Sequence, residues 1–180
     1  MNEVELIRNQ LAAECQHASA VIAACAASAP GAGQAHSLRQ ACADYLTSVF
    51  ARFAERDQRL GDLLRGGAPA GEDTRRALQQ ALAQPGDARE TLERLTRIVA
   101  AAGIEPADLA ARESWQEFAR YFESRWCARR DRIDGLFAPY ARVSDWRAVA
   151  AIDADVILDE RRRYAAVRAQ LAAGAALSEA

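Results

Sequence analysis

SLRQACADYLTSVFARFAERDQRLGDLL, Ser37 to Leu64, carries apolar side chains at Leu38, Cys42, Tyr45, Val49, Phe53, Leu60 and Leu64. Steps of three, four and seven residues bring all of these onto one face of an α-helix, whose period is about 3.6 residues. A strand would need alternation at every second residue, and the chain has no such run and no Asn-Gly hairpin turn. At about seven turns the segment is long for a compact mixed fold and typical of a bundle helix. Ser37 with Gln40 reads as its capping box and Gly66-Gly67 as its end.

The same periodicity extends outward in both directions. A first helix is predicted from about Glu3 to Ala27, with Val4, Ile7, Leu11, Ala18, Val21, Ile22 and Cys25 along one face, stopping at the small-residue run Ser28 to Gly33. Beyond Gly71 a shorter helix is predicted from Thr74 to Ala83, before Pro85-Gly86 interrupts. Asp87 with Glu90 suggests another cap, followed by Leu92, Leu95, Ile98 and Val99 up to Gly103. Pro106 sits where a first-turn proline is tolerated. Ser114 with Glu117 reads as the cap of a segment carrying Trp115, Phe118, Phe122, Trp126, Ile133, Leu136 and Phe137, closed by Pro139. Ser144 reads as the cap of a last helix through Trp146, Val149, Ile152, Val156, Ile157, Tyr164 and Val167, ending near Gly174. The predicted fold is all-α: an up-and-down antiparallel four-helix bundle with an additional C-terminal helix, one domain over residues 1–180.

Composition narrows the function more by exclusion than by assignment. A chain of 180 residues can bury roughly 70% of its unfolded surface, so a core needs no disulfide or structural metal. The 51% hydrophobic content is inflated by alanine, which favours helix. All 23 basic residues are Arg, which fits the codon bias of a GC-rich bacterial genome. A net charge of -2 and a pI near 5.8 argue against nucleic-acid binding. Arg125, Arg129, Arg130 and Arg132, and later Arg161-Arg162-Arg163, make local basic clusters, but acids interleave with them as on a solvated helix face. The acidic start Met1-Asn-Glu-Val-Glu5 has no signal-peptide pattern, and no apolar run suits a membrane span. A bacterial-type cytoplasm is therefore expected, with Cys15, Cys25, Cys42 and Cys127 as reduced thiols. No C-x-x-C, H-E-x-x-H, phosphate-binding glycine loop or nucleophile–base pair is present.

The informative positions are those where polar residues interrupt an apolar stripe. Glu14 and Cys15 fall between Leu11 and Ala18; Asp57 falls between Phe53 and Leu60; Arg129, Arg130 and Asp131 fall between Trp126 and Ile133. All lie near mid-helix, where antiparallel helices would bring them to one depth and where bundles build metal and cofactor sites.

On these residues the chain resembles the hemerythrin-like, HHE cation-binding family. Leu11-Ala-Ala-Glu-Cys-Gln-His-Ala followed by Val21-Ile22 is similar to that family's first helix, with Cys15 in a histidine's place. The stretch from Leu38 through Tyr45 to Phe53-Ala-Glu-Arg-Asp57 resembles the helix carrying a His-x-x-x-Glu ligand pair, Phe53 replacing the histidine and Asp57 the glutamate. Leu136-Phe-Ala-Pro139 and Val143-Ser-Asp-Trp146 are similar to the family's Leu-Phe-Pro corner and closing helix. The fourth-helix histidine falls on Trp126 or Cys127, and its glutamate on Arg130 or Asp131.

The resemblance implies a di-iron site whose ligands this chain lacks: it has 2 His in all, His36 beside a loop and His17 two residues past the ligand position. The expectation is a non-enzymatic binding or regulatory module without cofactor, with a homodimer or protein partner and no nucleic acid or membrane. Phe53 and Trp126 would fill the former cavity, and Asp57 would pair with Arg129 or Arg130. Two other readings stand beside it. One is a mononuclear Fe or Zn site, or a metal-dependent enzyme, using Cys15, Asp57 and either Cys127 or Asp131, with His17 as a further donor. The other is a small-molecule sensor whose pocket is the remodelled cavity. A Cys15–Cys127 thiol switch is the least expected, since cytosolic thiols without a proximity motif are usually inert.

Overall fold

The computed structural model describes residues 2–27, 32–66, 71–83, 90, 92–97 and 105–178, and every regular element among them is helical. Helix α1 spans Glu3–Ala27, α2 Ala32–Arg65 and α3 Glu72–Leu82; a helical stretch at 92–97 (α4) follows. Next come α5 (Glu105–Tyr121), a π-helical segment (Phe122–Cys127) and α6 (Ala128–Phe137), which run on as one rod. Helices α7 (Val143–Ala150) and α8 (Ala154–Ser178) complete the chain. No helix among the described residues is long and apolar enough to cross a membrane.

Side-chain contacts fix how the long helices run. Cys25 Sγ lies 4.0 Å from the Leu38 carbonyl, His17 bonds Tyr45, and Glu14 meets Arg52 and Arg56, so α1 and α2 are antiparallel. Phe50 touches Phe122, and Asp57 meets Arg129 and Arg130, so the α5–α6 rod runs parallel to α2. Tyr45 packs on Tyr164 and Arg52 pairs with Glu160, which makes α8 antiparallel to α2.

The interior falls into two apolar cores. One gathers Val21, Ile22, Leu46, Val49, Phe50, Phe53, Trp115, Phe118, Phe122 and Trp126; the other gathers Leu11, Leu60, Leu64, Leu78, Ile133, Phe137 and Trp146. The stripes read from the sequence supply both. Between the cores, each of the three main rods passes through a short charged stretch: Glu14 on α1, Arg52 to Asp57 on α2, Arg129-Arg130 on α6.

Several predicted boundaries move, each for a local reason. Ser37 is no cap, because α2 already begins at Ala32 and buries Ala35 before Leu38. Ser114 is likewise interior: α5 starts at Glu105, with Pro106 in its first turn, and buries Ala111 ahead of Trp115. Ser144 lies inside α7, which is capped by Arg142, whose backbone N–H donates to Asp145 Oδ2 at 2.8 Å. The single last helix is in fact two, separated at residues 151–153. Arg59 from α2 donates to the Ala148 carbonyl at 3.4 Å and to that of Ala151, satisfying the end of α7 from outside. Asp153, a favoured N-cap type, then precedes α8, which continues through Gly174. The predicted cap at Asp87 and the positions Ile98, Val99 and Gly103 lie outside the described residues. Leu92 and Leu95 are buried as expected.

Candidate functional site

The charged layer begins with Asp57. Its Oδ2 accepts from Arg129 Nη2 at 2.8 Å and its Oδ1 from Arg130 Nη1 at 3.0 Å. All three side chains are at most a tenth exposed. Arg129 Nε also donates to the Ala81 carbonyl of α3 at 2.7 Å, and the guanidinium lies 5.1 Å from the Trp126 ring. Arg130 Nη2 stands 3.6 Å from Asp134. Burial pushes the Asp134 carboxyl above its ordinary value, against the pull of Arg130 and Arg8.

A second cluster joins α1, α2 and α8. Arg56 Nη2 donates to Glu14 Oε1 at 3.1 Å, while Arg52 Nη1 and Arg56 Nη1 both reach Glu14 Oε2. Arg52 Nε donates to Glu160 at 2.7 Å. Burial opposes ionisation of Glu14, but the Arg56 and Arg52 guanidiniums outweigh it and hold the carboxyl below its usual range. Beside them His17 Nδ1 and the Tyr45 hydroxyl share a bond at 2.9 Å, and the Tyr164 ring sits 4.4 Å from the imidazole. Burial, with Glu160 adding to it, pushes the Tyr45 phenol up to about 12.

The residues that the resemblance aligns with metal-ligand positions are only partly brought together. Phe53 and Trp126 stack with centroids 6.0 Å apart, both nearly inaccessible, and Phe50 closes on Trp126 at 5.1 Å. Asp57 and Arg130 are joined, with Arg129 as well. Cys15 and Cys127 are half-buried on facing elements. Burial pushes the Cys15 thiol up to about 11, Arg130 opposing it, and raises that of Cys127, whose Sγ lies 4.0 Å from Ser19 Oγ. Neither is an activated nucleophile. Asp131 is exposed, and His17 faces the two tyrosines.

These residues do not fit a metal. Among the described residues no group of three His, Cys, Asp or Glu side chains converges as metal ligands would, so Cys15, His17, Asp57 and Asp131 do not form one site. Phe53 and Trp126 offer no donor atom for a metal. Both Asp57 oxygens already face guanidiniums, and a cation beside Arg129 and Arg130 would meet two fixed positive charges. Both rings are buried and stack on each other where the remodelled cavity is expected. Open grooves lie elsewhere: one of about 450 Å³ along α2 and α8, by His36, Gln40, Asp44 and Arg163, and one of about 530 Å³ between α1 and α6, by Glu5, Arg8, Asp131 and Asp134.

Two features are absent from the sequence reading. Arg52 and Arg56 belong to the Tyr45–Val49–Leu60 heptad face, so their spacing carried the signal of two buried charges inside the stripe. The π-helical segment, which contains Trp126 and Cys127, has no comparable signal. No protein-family model, no curated protein sequence and no solved structure matches this chain.

Proposed function

We propose that this chain is a hemerythrin-like, up-and-down four-helix bundle with an additional C-terminal helix, in which aromatic packing and an ion cluster stand where the di-iron site would be. It acts as a non-enzymatic binding or regulatory module, through protein contacts rather than through bound metal. The observation that carries this reading is the state of Asp57: the carboxylate at a former ligand position is claimed by Arg129 at 2.8 Å and Arg130 at 3.0 Å, beside the stacked Phe53 and Trp126 rings. A buried carboxylate so neutralised has no further demand for a cation.

Elemental analysis of protein purified without chelator tests the reading. Substoichiometric Fe, Mn and Zn is expected, together with a melting temperature unchanged by added Fe²⁺ or Zn²⁺, since an ion bound only by the folded state would raise it. Stoichiometric metal, or a rise in melting temperature that Asp57→Asn abolishes, would establish the mononuclear reading instead.

A further inference from the structure

Helix α8 is attached differently from the others. Among its described side chains, Val167 is the one fully buried in the core; Val156, Ile157 and Tyr164 are partly buried, and Leu158 and Leu171 face solvent. Helix α1, of the same length, buries Leu11, Ala18, Val21, Ile22 and Cys25. What α8 lacks in apolar burial it replaces with polar contacts along α2. Glu160 accepts from Arg52 at 2.7 Å, and Arg163 Nη1 donates to the Asp44 carbonyl at 3.1 Å. Tyr164 packs against Tyr45 and His17, at 5.5 and 4.4 Å between centroids. The seam is not closed, since the groove by His36, Gln40, Asp44 and Arg163 runs along it. Residues 151–153, which are not helical, join α8 to α7.

Elements with few buried apolar contacts open at lower free energy than the core around them. Among the described residues, releasing α8 would withdraw one fully buried apolar side chain, Val167, where releasing α1 would withdraw five, and Arg52 would keep Glu14 as its partner, so no guanidinium would be stranded. We propose that α8 is a detachable strap: the Arg52–Glu160 contact and the His17–Tyr45–Tyr164 cluster latch it onto α2, and it opens as a unit about residues 151–153 while α1, α2 and the α5–α6 rod stay folded. Opening uncovers Tyr45 and Arg52 on α2. The inference does not rest on the metal-site reading: His17 enters it only through its bond to Tyr45 and its packing on Tyr164.

Hydrogen exchange on the full chain, read by mass spectrometry, tests it. Amides 157–167 should exchange about tenfold or more faster than those of the α1 and α2 centres. Glu160→Gln should speed them by a further several-fold and leave α1 and α2 unchanged. Exchange of α8 in step with α1 and α2 would overturn the strap, as would a Glu160→Gln effect spread equally over all helices. Fast α8 exchange indifferent to Glu160→Gln would overturn the latch.

Discussion

Asp57, Arg129, Arg130 and Asp134 form one cluster, and Glu14, Arg52, Arg56 and Glu160 another; each sets two guanidiniums against two carboxylates between the two apolar cores. They differ in what they join. The first ties α2 to α6 and, through the Ala81 carbonyl, to α3, with Arg129 against Trp126 and both arginines away from water. The second ties α2 to α1 and reaches out to α8, which among the described residues sets only Val167 fully into the core. Equal charge inventories therefore serve unequal ends: where the partners are core helices the pairing fixes their register, and where one partner is peripheral it acts as a fastening. The carboxylates also answer pH in opposite directions. Glu14 is shifted down by its arginines, and Asp134 is shifted up by burial.

The largest test of that contrast is Asp57→Ala. Removing the shared carboxylate strands two buried guanidiniums and should cost about 3–5 kcal/mol in denaturant unfolding. A loss no greater than that of Asp62→Ala, at a residue that is well exposed, would erase the distinction between buried and peripheral charge here.

Glu14→Gln should cost less, about 1–3 kcal/mol, because an amide oxygen can still accept from Arg52 or Arg56. It should also change the pH profile. With a folded value below the ordinary 4.5, Glu14 contributes stability that is present above pH 4.5 and lost as pH falls through the folded value. Thermal melts across the acid range should show that loss in the wild type and a smaller one in Glu14→Gln; identical acid limbs would remove Glu14 from the account.

The smallest effect belongs to Asp134→Asn. A carboxyl shifted above 3.8 contributes stability that is complete below pH 3.8 and lost as pH rises through the folded value. The neutral side chain should therefore melt slightly higher than wild type at pH 7, and the gain should vanish in acid. A variant that melts lower at pH 7 would mean that the Arg130 contact at 3.6 Å outweighs the burial of Asp134.

Much of this organisation follows from one-dimensional pattern. The period of Leu38, Cys42, Tyr45, Val49 and Phe53 specifies a helix and its buried face wherever the helix is placed, because backbone geometry alone sets which residues align. The polar interruptions at Glu14, Asp57 and Arg129-Arg130 are visible for the same reason, and the pairing of Asp57 with an arginine of α6 is expected from them. Caps were read less well: Ser37, Ser114 and Ser144 have the right residue types, but burial of Ala35 and Ala111, and the Arg142–Asp145 contact, carry the helices past them.

Other features depend on neighbours that no local window contains. Arg59 ends α7 from another helix, Glu14 rather than a nearer acid takes Arg52 and Arg56, and Trp126, within the π-helical segment, stacks on Phe53. A helix period is a property of consecutive residues. Which guanidinium meets which carboxylate depends on interhelical distance and rotation, and these are settled only when the cores close on both sides of the charged layer.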